Sequence, residues 1–338
     1  MRIAVDAMGG DFAPGEIVAG AMKAADELTE IEEIILVGDE PVVRRAFKNG
    51  RLPNKIKIFH ASESIGMNEP PTYAVRSKKD SSINRMVDLV KKGDADAMLS
   101  AGNTGAVVAS SILKLRTLKG IQRPAIAAVM PTPKKPFVLI DAGANTNCSP
   151  RMLTQFAVMG SLYSKLILHN ENPVIGSMSV GTEDNKGNEI TKEVFRLLSK
   201  SPLNFKGNIE GHDLFEGEID VAVCDGFTGN VILKTSESVG HAVSAWMKKE
   251  FTNNPVRMLG AGLLSGAIRT MKKRINPENY GGAPLLGVNG ICIICHGVSS
   301  SRAIFHAIRV SAESVKFDLN RKISEEVERL GKTTGENK

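Results

Sequence analysis

Ser100-Ala-Gly-Asn-Thr-Gly105 follows an apolar run and opens an amphipathic one. Glycine lets a backbone come close to an anion, and the unpaired amides at a helix start point toward it. The same residues also suit a tight turn in which Thr104 caps the helix. The lysine of a nucleotide phosphate loop and the spacing of a dinucleotide fingerprint are both missing, which disfavours ATP and NAD. Arg76 and Lys78, within residues 73–82, form a pair able to clamp phosphate, with Ser81 and Ser82 as hydroxyl donors. A solvated helix face accounts for the same charges. Residues 181–188 pack Glu183, Asp184 and Lys186 into a turn bounded by glycines and ending at Asn188. A lysine there can neutralise charge developing on an attacked carbonyl oxygen; a β-turn with local ion pairs is the alternative. Asp6 and Asp11 flank Gly9 and Gly10, but no further oxygen ligands cluster with them, so Asp11 reads as a cap for a helix starting near Pro14 rather than as a metal ligand. His296 ends an apolar strand, where an imidazole can donate or accept a proton. His241 reads as a packed helical residue. No Gly-x-Ser-x-Gly elbow and no cysteine placed like a nucleophile is present, which disfavours a covalent acyl-enzyme.

These residues need elements to hold them. Strands are expected at 2–8, 33–38, 56–60, 97–100, 126–130, 137–141, 174–179, 221–225 and 291–296, and helices at 15–28, 105–118, 152–168 and 189–199. Such alternation predicts a three-layer α/β/α arrangement, a largely parallel sheet with helices on both faces. Ligands of such sheets sit beyond the carboxyl ends of the strands. The polar glycine motifs at 6–11, 100–105, 141–145, 181–188 and 225–230 fall at those ends. No low-complexity linker divides the chain, so residues 1–330 are expected as one domain, with 331–338 a frayed polar tail. Within it, 230–276 reads as a projecting helical hairpin. Seven Lys/Arg face two Glu between Trp246 and Tyr280.

Bulk composition narrows the class. The chain has 338 residues, 42% of them hydrophobic, and only 5% aromatic, which leaves little for base stacking. Nucleic acid is not expected as a partner. The net charge of +6 fits an anionic substrate, an acidic protein or an anionic membrane surface. No segment reaches the ~18 apolar residues of a membrane span, and Asp6 and Asp11 interrupt any signal-peptide core, so a cytoplasmic protein is expected. Four cysteines are too few for a disulfide scaffold, and Cys292 and Cys295 read as core thiols.

Taken in order, seven motifs carry a resemblance: 6–11, 76–82, 102–106, 141–145, 181–188, 225–230, and 280–287 with 296–299. Together they resemble the bacterial acyl-ACP:phosphate acyltransferases of phospholipid synthesis (PlsX type), over residues 1 to about 314. Phe12 stands where His is expected. The resemblance implies a fold like isopropylmalate dehydrogenases and phosphotransacetylases, a homodimer, and no cofactor or metal. It implies acyl transfer from acyl carrier protein (ACP) to inorganic phosphate, with the acyl phosphate passed to a membrane glycerol-3-phosphate acyltransferase. Phosphate is already anionic and a thiol of pKa ~8.5 leaves readily, so positioning and oxyanion stabilisation suffice. On this reading Ser100, Gly102, Asn103, Thr104, Arg76 and Lys78 hold phosphate, and Gly9, Gly10, Asp11, Asn145, Asn188 and Asn230 complete the substrate site. Lys186, with Asp184 beside it, stabilises the oxyanion, and His296 protonates the leaving thiolate. The hairpin either receives ACP, packs a dimer, or lays Leu259, Leu263, Leu264 and Ile268 into a membrane surface with Arg269, Lys272 and Lys273 on its headgroups. Gly260, Gly262 and Gly266 favour a tip, hence peripheral membrane association. A short-chain phosphotransacetylase using acyl-CoA and a non-catalytic ACP-binding scaffold are the rivals.

Overall fold

A computed structural model of the chain describes residues 1–47 and 52–333, the side chains of Lys273, Lys332 and Thr333 excepted. The chain begins with β1 (Arg2–Asp6), α1 (Gly15–Glu27), β2 (Glu33–Gly38), α2 (Glu40–Arg45), β3 (Ile56–His60), α3 (Pro71–Ser77), α4 (Ser82–Lys92), β4 (Ala97–Ser100) and α5 (Thr104–Lys114). Next come β5 (Ala125–Met130), β6 (Phe137–Ile140), α6 (Pro150–Ile167), β7 (Ile175–Met178), α7 (Glu189–Ser199), β8 (Phe205–Ile209) and β9 (Val221–Val223). It continues through α8 (Gly226–Phe251), α9 (Pro255–Leu263), α10 (Ser265–Ile275), β10 (Ala283–Leu286), β11 (Ile291–Ile294), α11 (Ser301–Lys316) and α12 (Leu319–Thr333).

The strands form one sheet in the order β3-β2-β1-β4-β11-β10-β5-β6-β9-β7-β8. Seven of its ten pairings are parallel, in keeping with the strand–helix alternation. Residues 3–5 of β1 are apolar and buried because both faces of the sheet are covered there. Ile3 and Val5 join the core beneath α1, α6 and α11, whereas Ala4 joins the core beneath α3, α4 and α5.

The sheet reverses at its centre. β10 is antiparallel to β11 and to β5, and β5 to β6, so β1–β4 with β11 run one way and β6–β9 the other. Loops at the strand ends therefore form two groups. Ile140 pairs with Ala127, Leu285 with Ile126 and Pro284 with Ile293, which leaves Asp141 about two positions short of the level of Ser100. β4 and β6 are four strands apart, roughly 19 Å.

Several local expectations change. β8 and β10 were not anticipated: Lys206, Gly207 and Asn208 break the apolar run of the first, and Pro284 sits inside the second. Asn103, not Thr104, caps α5, its Oδ1 accepting from the Ala106 amide at 3.0 Å. Asp11 does not cap α1, which starts after Pro14 without a side-chain cap; its amide instead donates to the Gly297 carbonyl at 2.8 Å. His241 is exposed on α8 rather than packed. The second stretch of the 230–276 segment is two helices meeting at Leu264. Residues 331–333 end α12, and 334–338 lie outside the described residues. Among the described residues no helix is long and apolar enough to cross a membrane.

Candidate active site

The ends of β1, β4 and β11 meet in a first loop cluster. The buried Asp6 carboxylate accepts from Ser100 Oγ at 2.6 Å and from the Met8 amide at 3.1 Å, and burial holds its pKa above the usual range. Gly9 lies against Gly102, where a Cβ on Gly9 would stand 2.6 Å from the Gly102 nitrogen. Gly10, at φ +102°, lies against Gly297, so no larger residue fits without strain. Asn103 Nδ2 donates to the carbonyls of Gly66, Met67 and Glu69 at 3.0–3.2 Å, binding a neighbouring loop to the turn. Lys78 fastens that loop further, through Ser64 O at 2.8 Å and Glu69 Oε1 at 2.6 Å. The cluster thus gathers Gly9, Gly10, Asp11, Ser100, Gly102, Asn103, Thr104 and His296. Ser100, Gly102 and Asn103 are buried, and Thr104 is exposed. Arg76 is not brought there: it lines a surface hollow of about 600 Å³ with Lys79, Arg85, Asp88 and Lys114 at the far end of α5.

A second cluster forms where β6, β7 and β9 end. Asp141 is fully buried and accepts five N–H bonds, from Ile126, Gly143, Ala144 and both the amide and Nδ2 of Asn145, at 2.7–3.2 Å. Burial raises its pKa and these donors pull against that rise. The turn so folded receives α8. Gly226 donates to the Asn145 carbonyl at 2.7 Å, and Gly229 lies so close that a Cβ would fall 2.0 Å from the Asp141 carbonyl oxygen. Asn230 follows beside Gly143.

Next to this turn opens a cavity of about 720 Å³. Its lining includes Ser149, Asn188 and Asp225, which are the N-caps of α6, α7 and α8. Three helix starts therefore face one space; those of α6 and α7 bring partial positive charge and amides, and at α8 the Asp225 carboxylate, accepting from Thr228, offsets that charge. Met152, Leu153, Met178, Val180 and Ile190 supply an apolar side. Lys186 stands beside Gly187 of the lining, exposed, with a loose contact to Glu183 at 3.9 Å; Asp184 is exposed on the same turn. Cys148 and Cys224 also line the cavity. Burial, then Asp141 and Asp225, pushes the Cys148 thiol up to about 11, and burial with the same two carboxylates pushes Cys224 well above its ordinary value. Neither offers a thiolate at neutral pH.

α8 connects the clusters. It starts at the second, and Lys234 Nζ reaches His296 Nε2 of the first at 3.3 Å. Leu233 packs against the core beneath α5 and against that beneath β6 and β9. Among the described residues no group of His, Cys, Asp and Glu is arranged to hold a metal ion.

A family described as "Fatty acid synthesis protein" matches residues 1–322. The "Phosphate acyltransferase" of Pelotomaculum thermopropionicum is 48% identical over 330 residues, covering 98% of this chain and 96% of that protein. The chain belongs to the phosphate acyltransferase family. That of Akkermansia muciniphila is also 48% identical, over 338 residues, 98% of this chain and 97% of that one. Among solved structures, the EutD phosphotransacetylase from Staphylococcus aureus aligns at TM-score 0.60 and 15% identity, covering 93% of this chain and 94% of that one. A phosphotransacetylase from Streptococcus pyogenes aligns at TM-score 0.60 and 18% identity, with 94% of each chain covered. At such identities these two show the shared fold alone, and it is the fold that the motifs imply. Sequence reading of this family member missed Ser149, Asn208 and Lys234. Ser149-Pro150 before an apolar helix was a readable start signal. The Lys234–His296 contact, across 62 residues, left none.

Proposed function

We propose that the protein transfers an acyl group from a thioester to inorganic phosphate, releasing acyl phosphate for phospholipid synthesis, and that the 720 Å³ cavity is where this happens. The observation that carries the reading is the convergence of three helix N-termini on that space, in a chain of this family. The starts of α6 and α7 favour an anion there, while the Asp225 carboxylate offsets the charge of the α8 start. We place phosphate there rather than on the Ser100–Thr104 turn, because Ser100, Asn103 and Lys78 already use their polar groups within the first cluster.

Phosphate attacks the thioester carbonyl directly, the C–S bond breaks as the C–O bond forms, and the thiolate takes a proton. Lys186 offsets charge on the carbonyl oxygen, assisted by the amides of the α7 start. The thiolate takes its proton from solvent: His296, expected as the donor, pairs with Lys234 in the first cluster and does not line the cavity. Asn145, Asn188 and Asn230 fix the walls. Replacing Lys186 with Ala should lower kcat about 100-fold. A kcat within twofold of wild type contradicts the assignment.

The acyl donor is carried by an acidic carrier protein, consistent with the net charge of +6. Two copies pair through α8, where Val239, Val243 and Trp246 are exposed. α9 and α10 hold the protein reversibly on the cytoplasmic membrane face, with Leu259 70% and Leu263 83% exposed, Leu264 exposed, and Ile268 partly so. Arg269 and Lys272 are exposed beside them, and the Lys273 side chain lies outside the described residues. Acyl-CoA as donor is the second reading, favoured by the phosphotransacetylase fold alone.

A further inference from the structure

Residues 182–186 are exposed, yet their turn is anchored at one atom. The Glu183 carbonyl oxygen accepts from the Lys186 amide at 3.1 Å, which closes the turn, and also from Asn208 Nδ2 at 2.9 Å. Asn208 lies on β8, at the edge of the sheet, is 5% exposed, and is in register with Ser177 of β7. Asparagine suits neither the interior of a strand nor burial, unless its amide bonds something. Here the amide holds a loop rather than a strand. Its Oδ1 has no partner among the described residues, and neither has Ser179 Oγ nearby. Gly187, at φ +92°, rests over that serine, where a Cβ would stand 2.9 Å from Ser179 Oγ and 2.1 Å from Thr191 Oγ1.

We propose that Asn208 is a positioning residue for Lys186, an inference that rests on the role of Lys186 given above. Asn208 donates to the carbonyl that Lys186 also engages, so the strand edge sets where the Lys186 backbone lies relative to the α7 start. A flexible lysine stem corrects small errors in that placement but not the loss of the turn, and misplacement by about 1 Å can cost ~100-fold in rate. The role is distinct from substrate binding: Asn208 does not line the cavity.

The test is Asn208→Asp, an isostere that lacks the N–H and sets a carboxylate against the Glu183 carbonyl, with Asn208→Gln as the variant that retains the amide. Asn208→Asp should lower kcat ~10- to 100-fold with phosphate KM changed less than threefold, and Asn208→Gln should recover part of the loss. In a Lys186→Ala background the Asn208→Asp change should cost nothing further, because both act through one group. The same loss in both backgrounds, or wild-type kcat for Asn208→Asp when Lys186→Ala is impaired, overturns the inference and leaves the lysine assignment standing. Wild-type kcat for Lys186→Ala alone removes the assignment first, and the inference with it. Melting temperatures of all variants separate misplacement from unfolding.

Discussion

His306 illustrates how one residue of α11 ties stability to pH. Its Nδ1 is buried without a partner among the described residues. Burial first, then Arg309, Arg302 and Lys23, with Glu278 opposing, holds the imidazole down to about 4. In the unfolded chain it titrates near ~6.5. Below that pH the unfolded state binds a proton that the native state refuses. The contribution is therefore complete above about pH 6.5 and is lost as pH falls toward 4. Melting temperature should drop more between pH 7 and 4.5 in wild type than in His306→Asn; equal drops contradict this. At the same scale, the residue types of the site were legible and their engagements were not. Asp6 and Asp141 could be read as acids at strand ends, but their burial beneath their own turns follows from packing. Lys78 read as a phosphate clamp because Glu69, its partner, is nine residues away and joins it only when the loop folds onto α3.

Elements were legible where one signal dominated. β2, β3 and β4 match their expected ranges, β2 and β4 as apolar runs and β3 as a short strand of alternating apolar and polar residues, Ile56-Lys57-Ile58. β8 and β10 failed because Asn208 and Pro284 carry local preferences that tertiary pairing overrides. Caps slipped by a residue where Asn103 and Thr104 both qualified, and geometry selected the one whose side chain also reaches the 66–69 loop. The α9–α10 segment was legible as amphipathic, and its division at Leu264 follows from three glycines that weaken the helix. Its apolar residues have no core to join: α9 contains no buried residue. Leu263→Glu should abolish co-sedimentation with anionic liposomes while leaving turnover of soluble substrate within twofold. Unchanged co-sedimentation contradicts membrane docking by this segment.

Across the whole molecule, the reversal of strand direction at β10 and β5 decides the layout, and no local pattern announced it. It separates the glycine motifs into two groups and leaves α8 to join them through Leu233 and Lys234. The first group is internally bonded and shapes the scaffold; the second surrounds open space with helix starts. The cavity so formed offers helix-start amides, with Lys186 next to its lining, and two thiols whose pKa values burial and the nearby carboxylates push up. Mass spectrometry of the intact protein during turnover with palmitoyl-ACP separates direct transfer to phosphate from a covalent relay through the chain. Acyl phosphate should form only when phosphate is present, with the protein mass unchanged throughout. A palmitoylated protein that forms without phosphate and discharges when phosphate is added would contradict direct transfer.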